Sequence, residues 1–332
     1  MAANKIKIIY TGGTIGMVRN ADGSLSLLQE PDDLLASLPE LHQLADIEFE
    51  VISNIDSSDM TAAHWLRLAA HIRNADAQGD SNGYVILHGT DTLPYTASAL
   101  SFLLAGLRKP VVITGSQIPL CAVRTDARTN LIDAVELATH DIPEVSVLFN
   151  SKLMRGNRVQ KVSINRYHAM HSPNYPYLAE LGLRVEVRRD NILRKVKSFP
   201  ATGFSSAVAC LQLFPGFDLE LLRAYDACQA IILRGFGPGN VPQDQRLFAW
   251  IEGMIARGSV VALTSQATLG SIDLSIYGGS RRALALGVLS CHDMTIETCI
   301  VKMMLLLGSC ATKAEAEELF CSSLVGELTT EI

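Results

Sequence analysis

Five short, β-rich apolar runs open the chain: Ile6 to Tyr10, Phe49 to Ile52, Tyr84 to His88, Val111 to Thr114 and Val145 to Phe149. Between them lie segments of helical spacing, Thr61 to Ile72 (Trp65, Leu68, Ala69, Ile72), Tyr95 to Leu107 and Asn130 to Ala138. Such alternation predicts parallel strands joined by right-handed helical crossovers, with helices on both faces of the sheet. Ligands of such sheets collect at the carboxyl ends of the strands. A second alternation follows, with Ala207 to Leu213, Ala230 to Leu233 and Ser259 to Leu263 as strands and helices near Leu219 to Arg223, Leu247 to Arg257 and Thr295 to Leu307. The expected architecture is α/β: a larger N-terminal parallel-sheet domain (1–190) and a smaller C-terminal α/β domain (207–332). Arg184 to Phe204 breaks the pattern with Arg188, Arg189, Arg194, Lys195, Lys197, Pro200 and Gly203, which places a solvated linker at 191–206.

Composition narrows the function classes. The 332 residues carry 28 Lys plus Arg against 34 Asp plus Glu, a net charge near −6, so there is no cationic excess for nucleic-acid phosphates. The longest nearly uncharged run, Thr90 to Leu107, contains Thr, Ser, Pro and Gly and reads as a buried helix, not a membrane span. The start of the chain leads directly into a strand and shows no secretory signal, so the expected location is cytoplasmic. Seven cysteines, an odd number without a Cys-x-x-Cys pair, are expected to be reduced core thiols; neither a metal site nor a cofactor is expected.

The strand ends carry the chemistry. Strand one ends in Thr11-Gly-Gly-Thr-Ile-Gly16, open to three readings: a phosphate cradle, a nucleophile loop with an oxyanion hole, or a tight turn. The phosphate cradle is the weakest, because no Gly-Lys-Ser/Thr follows. Asp56-Ser57-Ser58-Asp59 after strand two has N-cap composition, and Ser57 and Ser58 also offer hydroxyl donors to a small anion such as a carboxylate. Strand three ends in His88-Gly-Thr-Asp-Thr92, where Asp91 or Thr92 is placed to cap the next helix. His88 reads as a hydrogen-bonded structural histidine. Strand four contributes Thr114-Gly-Ser116-Gln117, and Lys161 has by position alone the character of a surface lysine. Four strand ends rich in Gly, Ser, Thr and Asp describe a small polar pocket that suits an amino acid better than a nucleotide.

Tyr10-Thr-Gly-Gly-Thr-Ile-Gly16, His88-Gly-Thr-Asp-Thr92 and Arg155-Gly-Asn-Arg-x-x-Lys161 resemble the bacterial-type L-asparaginases, specifically the cytoplasmic type I branch. The similarity continues through Asp56-Ser-Ser-Asp-Met60, Thr114-Gly-Ser-Gln-Ile-Pro119, Gly235-x-Gly-x-Gly-Asn240 and Asp293-Met-Thr-x-Glu297, essentially the whole chain. The resemblance implies Thr14 as nucleophile and Thr90, Asp91 and Lys161 as a second catalytic group. It also implies a substrate site of Ser57, Ser58, Asp91, Ser116 and Asn240, the last reaching in from another subunit of a homodimer or homotetramer. The implied reaction converts L-asparagine to L-aspartate and ammonia through a threonine acyl-enzyme, with L-glutamine as a possible second substrate. The alternatives are a glutaminase-leaning amidohydrolase and a catalytically poor amino-acid sensor. Two departures from the family pattern stand out: Ser24 occupies the place of an expected Tyr, and Ala127 follows Asp126 where Gly is usual.

Overall fold

The computed structural model describes residues 4–20, 22–27, 34, 37–79, 81–197, 199 and 201–330. The chain divides into two compact units, 1–196 and 197–332. Pro200 of the expected linker lies outside the described residues.

Unit one is built on an eight-stranded sheet. Its strands are β1 (Lys5–Gly12), β2 (Asp46–Ile55), β3 (Gly83–Leu87), β4 (Val111–Thr114), β5 (Val145–Phe149), β6 (Lys152–Arg155), β7 (Ala179–Leu181) and β8 (Val185–Val187), in the spatial order β8-β7-β6-β5-β4-β3-β1-β2. The first five are mutually parallel, with Ile8 level with Phe49 on one side and Val85 on the other. Every residue of β3, β4 and β5 is buried, which is why these strands read as continuous apolar runs rather than alternating ones. The last three strands are antiparallel additions. All three lie within the expected N-terminal domain, β8 taking up the first residues of the basic Arg184–Phe204 stretch, and in the expected linker Arg194 pairs with Asp141 at 3.0 Å.

Among the described residues, three α-helices serve the sheet: α1 (Ala62–Gln78), α2 (Leu93–Leu103) and α3 (Ala127–Ala138). Ala127, Leu131, Ala134 and Val135 of α3 share a core with Ile6, Ile8, Tyr10, Val85, Leu87 and Val112, while α1 and α2 pack against each other. The Asp126-Ala127 departure leaves the backbone unstrained, since Ala127 is an ordinary buried first residue of α3.

Unit two has a four-stranded parallel sheet, β9 (Val208–Gln212), β10 (Ala230–Gly235), β11 (Val260–Ser265) and β12 (Leu289–Ser290), in sequential order. Its helices are α4 (Gln245–Ala256), α5 (Gly278–Ala285), α6 (Ile296–Ser309) and α7 (Lys313–Phe320). Cys291 and Cys299 are core residues here, whereas Cys121, Cys210 and Cys321 are exposed. No helix among the described residues is long and apolar enough to cross a membrane.

Candidate active site

The carboxyl ends of β1 to β4 lie unusually close together, and glycine makes this possible. Gly12 and Gly13 have φ of 117° and 90°, a region that costs a side-chain-bearing residue ~1–2 kcal/mol. A Cβ on Gly12 would lie 2.1 Å from the Ile55 carbonyl oxygen at the end of β2, and one on Gly89 would lie 2.6 Å from Ser57 Oγ. A Cβ on Gly115 would lie 2.2 Å from the His88 oxygen. The strand tips thus pack with almost no side chain between them.

A cavity of about 230 Å³ opens over these tips, lined by Thr14, Ser57, Thr90, Asp91, Gln117 and Lys161 together with Asp56, Met17 and Ile164. That volume is below the ~300–1,000 Å³ of pockets for drug-sized molecules. Thr14 starts a short 3₁₀ turn, Thr14–Gly16, immediately beyond the two positive-φ glycines. Lys161 enters from a two-residue strand paired with Met170–His171. Its ammonium donates to Thr90 Oγ1 at 2.8 Å and pairs with Asp91 Oδ1 at 2.5 Å. The Lys161 side chain is 16% exposed and that of Asp91 67%, so the pair spans from the cavity wall to solvent.

The rest of the Arg155-Gly-Asn-Arg-x-x-Lys161 motif is scaffold. Arg155 forms a buried pair with Glu144 at 2.7 Å and stacks on Tyr175, and Asn157 and Arg158 are fully buried. The anchored turn fixes where the strand bearing Lys161 begins.

His88 holds the neighbouring loop. Trp65 Nε1 donates to Thr96 Oγ1 at 2.9 Å, Thr96 Oγ1 meets His88 Nε2 at 2.9 Å, and His88 Nδ1 meets the Gly89 carbonyl at 2.7 Å. A carbonyl only accepts, so Nδ1 carries the proton and Nε2 accepts from Thr96. Burial without a counter-charge pushes the imidazole down to about 4, so His88 is neutral at ordinary pH.

Thr92, Ser58 and Ser116 make other contacts than the sequence suggests, whereas Asp91, Asn240 and Ser24 lie where the sequence puts them. Thr92 makes no cap bond to α2; its hydroxyl donates to the Ser57 carbonyl at 2.6 Å. Asp91 is committed to Lys161 instead of a cap. Ser58 does not line the cavity, its hydroxyl donating to Asp56 Oδ1 at 2.8 Å. Ser116 is fully buried, its hydroxyl directed to the Ile118 carbonyl at 2.7 Å, and the next residue, Gln117, faces the cavity in its stead. Asn240 lies in unit two on the loop after β10, closed by the Phe236–Asn240 bridge. Ser24 sits in the exposed turn between strands Met17–Arg19 and Leu25–Leu27, its hydroxyl bonded to Asp22 at 2.6 Å. Gln117, like Met17 and Ile164, is a cavity residue that the sequence did not single out. The signal for it was its place directly after Thr-Gly-Ser at a strand tip, where the first long side chain reaches sideways to the neighbouring tip.

This arrangement provides hydroxyl nucleophiles, a lysine and carboxylate beside one of them, and a small polar chamber. No group of three His, Cys, Asp or Glu side chains suited to a metal occurs among the described residues.

Two family models match in order along the chain: "Asparaginase, N-terminal" over residues 5–193 and "Glutaminase/Asparaginase C-terminal domain" over 207–320. The chain is 35% identical to L-asparaginase 1 of Escherichia coli strain K12 over the full length of both. The structure is similar to that of L-asparaginase I from Vibrio cholerae, with a TM-score of 0.90 and 35% identity over 99% of this chain and 100% of the other. The chain is also 32% identical to a subunit of the glutamyl-tRNA(Gln) amidotransferase of Pyrococcus horikoshii, over 98% of this chain and 76% of that protein. Matched over its whole length and through both domains, the chain belongs to the asparaginase family of amidohydrolases.

Proposed function

We propose that this protein hydrolyses L-asparagine to L-aspartate and ammonia through an acyl-enzyme on Thr14. The observation that carries the reading is the Lys161–Thr90 hydrogen bond of 2.8 Å, backed by Asp91, in the chamber that Thr14 also lines. A threonine hydroxyl attacks an amide only when a neighbour accepts its proton, and Thr90 with Lys161, lining the same chamber, forms a group able to relay one. Thr14 Oγ adds to the side-chain amide carbon, the carbon–nitrogen bond breaks, and ammonia leaves with the relayed proton. Water then adds to the ester, the carbon–Thr14 oxygen bond breaks, and aspartate departs with Thr14 restored. Backbone N–H groups of the Gly-rich loop or around Thr90 serve the oxyanion. Asp91 accepts from the substrate ammonium, and Ser57 donates to its α-carboxylate.

Ser24 takes no part in this chemistry, because its hydroxyl is held within its own turn by Asp22 and Asn20. Glutamine is the second candidate substrate, since one methylene changes discrimination by only ~1–3 kcal/mol. A homo-oligomeric, cytoplasmic enzyme completes the proposal, in keeping with the type I resemblance.

A coupled ammonia assay with asparagine and with glutamine, run beside calorimetric titration of both, tests the reading. Asparagine turnover is expected, abolished by Thr14→Ala, by Thr90→Val and by Lys161→Met with the fold intact. Near-normal turnover by Thr14→Ala would remove the nucleophile assignment, and tight binding without ammonia release would make the protein a sensor.

A further inference from the structure

We infer that Gln117 is a positioning residue that sets the direction of the Thr90 proton. The inference rests on the Thr90–Lys161 reading above. A hydroxyl has one proton and two acceptor lone pairs. Lys161 Nζ fills one lone pair of Thr90 Oγ1 from 2.8 Å, so the Thr90 proton must find a different acceptor. That acceptor is Gln117 Oε1, at 3.2 Å. The other end of the carboxamide, Nε2, faces the Ser163 carbonyl at 3.4 Å, which fixes the amide with oxygen toward Thr90 and nitrogen toward the segment following Lys161.

The backbone beneath this side chain is pinned as well. The buried Asp126 carboxylate accepts from Gln117 N at 3.0 and 3.1 Å and from Ile118 N at 3.1 Å. Asn130 Nδ2 in turn reaches Asp126 Oδ2 at 3.3 Å and the Gly115 carbonyl at 2.9 Å. A chain of bonds therefore runs from α3 through Asp126 and Gln117 to Thr90.

The consequence is directional. With its proton parked on Gln117 and one lone pair on Lys161, Thr90 keeps its second lone pair free to accept a proton from the cavity. As Thr90 takes up that proton, its own hydroxyl proton turns from the Gln117 oxygen and goes to the amide nitrogen that leaves as ammonia, while Lys161 Nζ keeps donating to Thr90 Oγ1. Without the Gln117 oxygen, the Thr90 proton points into the cavity and blocks the lone pair that the reaction needs. Gln117 acts through Thr90, so its loss should slow turnover without weakening the hold on the amino acid.

The test compares Gln117→Met, which keeps the length and removes the polar end, with Gln117→Glu, which keeps an oxygen toward Thr90 and loses the donor to Ser163. One neutral hydrogen bond lost in the transition state lowers kcat about tenfold, so Gln117→Met should show that loss with KM and the aspartate Kd within about twofold of wild type. Gln117→Glu should recover kcat to within about threefold. Independently of activity, the Gln117 side-chain amide resonances should move in Thr90→Val. Unchanged turnover in Gln117→Met, parallel losses of kcat and affinity, equal impairment of a folded Gln117→Glu, or unmoved amide resonances would each overturn the inference. Normal turnover in Lys161→Met, by contrast, would remove the underlying Thr90–Lys161 reading, and the amide resonances would then decide the Gln117 contact by themselves.

Discussion

Gly13 and Gly89 meet backbone to backbone: a Cβ on Gly13 would stand 2.3 Å from the Gly89 nitrogen and 2.4 Å from its Cα. Thr14 and Thr90, one residue beyond each glycine, are thereby held on loops in direct contact. Gly13→Ala must both occupy φ near 90° and push the loops apart. Together these cost roughly 2–4 kcal/mol of stability, and the displaced hydroxyls should lower kcat at least a hundredfold. Gly23, with φ of 87° and nothing near it, is the control: Gly23→Ala carries only the backbone strain. Thermal unfolding and asparagine turnover of the two variants check this, and normal turnover in Gly13→Ala would break the link between loop contact and catalysis.

His88 predicts a pH dependence of stability whose sign follows from its burial. Its imidazole lies near 4 in the folded chain and near the ordinary 6.5 when unfolded, so the folded state resists protonation. The contribution is complete above pH 6.5 and is lost as pH falls from 6.5 toward 4, by roughly 3 kcal/mol in all. His88→Gln removes this titration. Urea unfolding at about pH 7 and about pH 4.5 should show a steeper loss for wild type than for the variant, and parallel losses would contradict the neutral, buried assignment.

The first five strands and most helices were legible because burial on both faces writes itself into continuous apolar runs such as Tyr84 to Leu87. The antiparallel strands β6 to β8 were not. They are three or four residues long and carry Lys152, Glu180 and Glu186, so nothing in their composition separates them from a solvated linker. Within the candidate site, Thr14 and Asp91 stood out on Gly-rich strand tips, whereas Lys161 had no local signal and depended on the family resemblance. Ser116 and Gln117 show the limit: which of two adjacent polar residues faces the cavity depends on how the strand-four loop turns. The Asp126 carboxylate, nine residues away from Gln117, governs that turn.

Unit two contains a fully buried ion pair, Lys302 Nζ to Glu327 Oε1 at 2.6 Å, that ties the C-terminal segment to α6. Lys302 also donates to the Phe320 and Ser322 carbonyls, and Glu327 accepts from Leu324 N and Val325 N. Removing one partner leaves a buried charge, so Lys302→Met should lose ~3–5 kcal/mol. Adding Glu327→Gln, which removes the stranded charge but keeps an oxygen for the backbone N–H groups, should recover a large part of that loss. Denaturant unfolding of the two single variants and the double variant measures the coupling, and additive losses would mean the pair is not energetically linked.

The final prediction concerns Asn240, proposed to complete the substrate site of a second chain. Its backbone is fixed by reciprocal bonds with Phe236, while its side-chain oxygen is buried without a hydrogen-bond partner among the described residues. Gly239, at φ 97°, gives the loop its turn just before Asn240, a conformation glycine adopts freely. If the site is shared across a closed twofold pair, Thr14→Ala and Asn240→Ala should each be inactive alone. After subunit exchange, a mixed pair holds one site with both wild-type residues and one with neither. Statistical mixing makes half the pairs mixed, so activity should return to about a quarter of the wild-type value. Mass spectrometry of differentially labelled chains verifies the exchange. Continued inactivity once exchange is demonstrated, or full activity in a monomer, would place Asn240 outside the site.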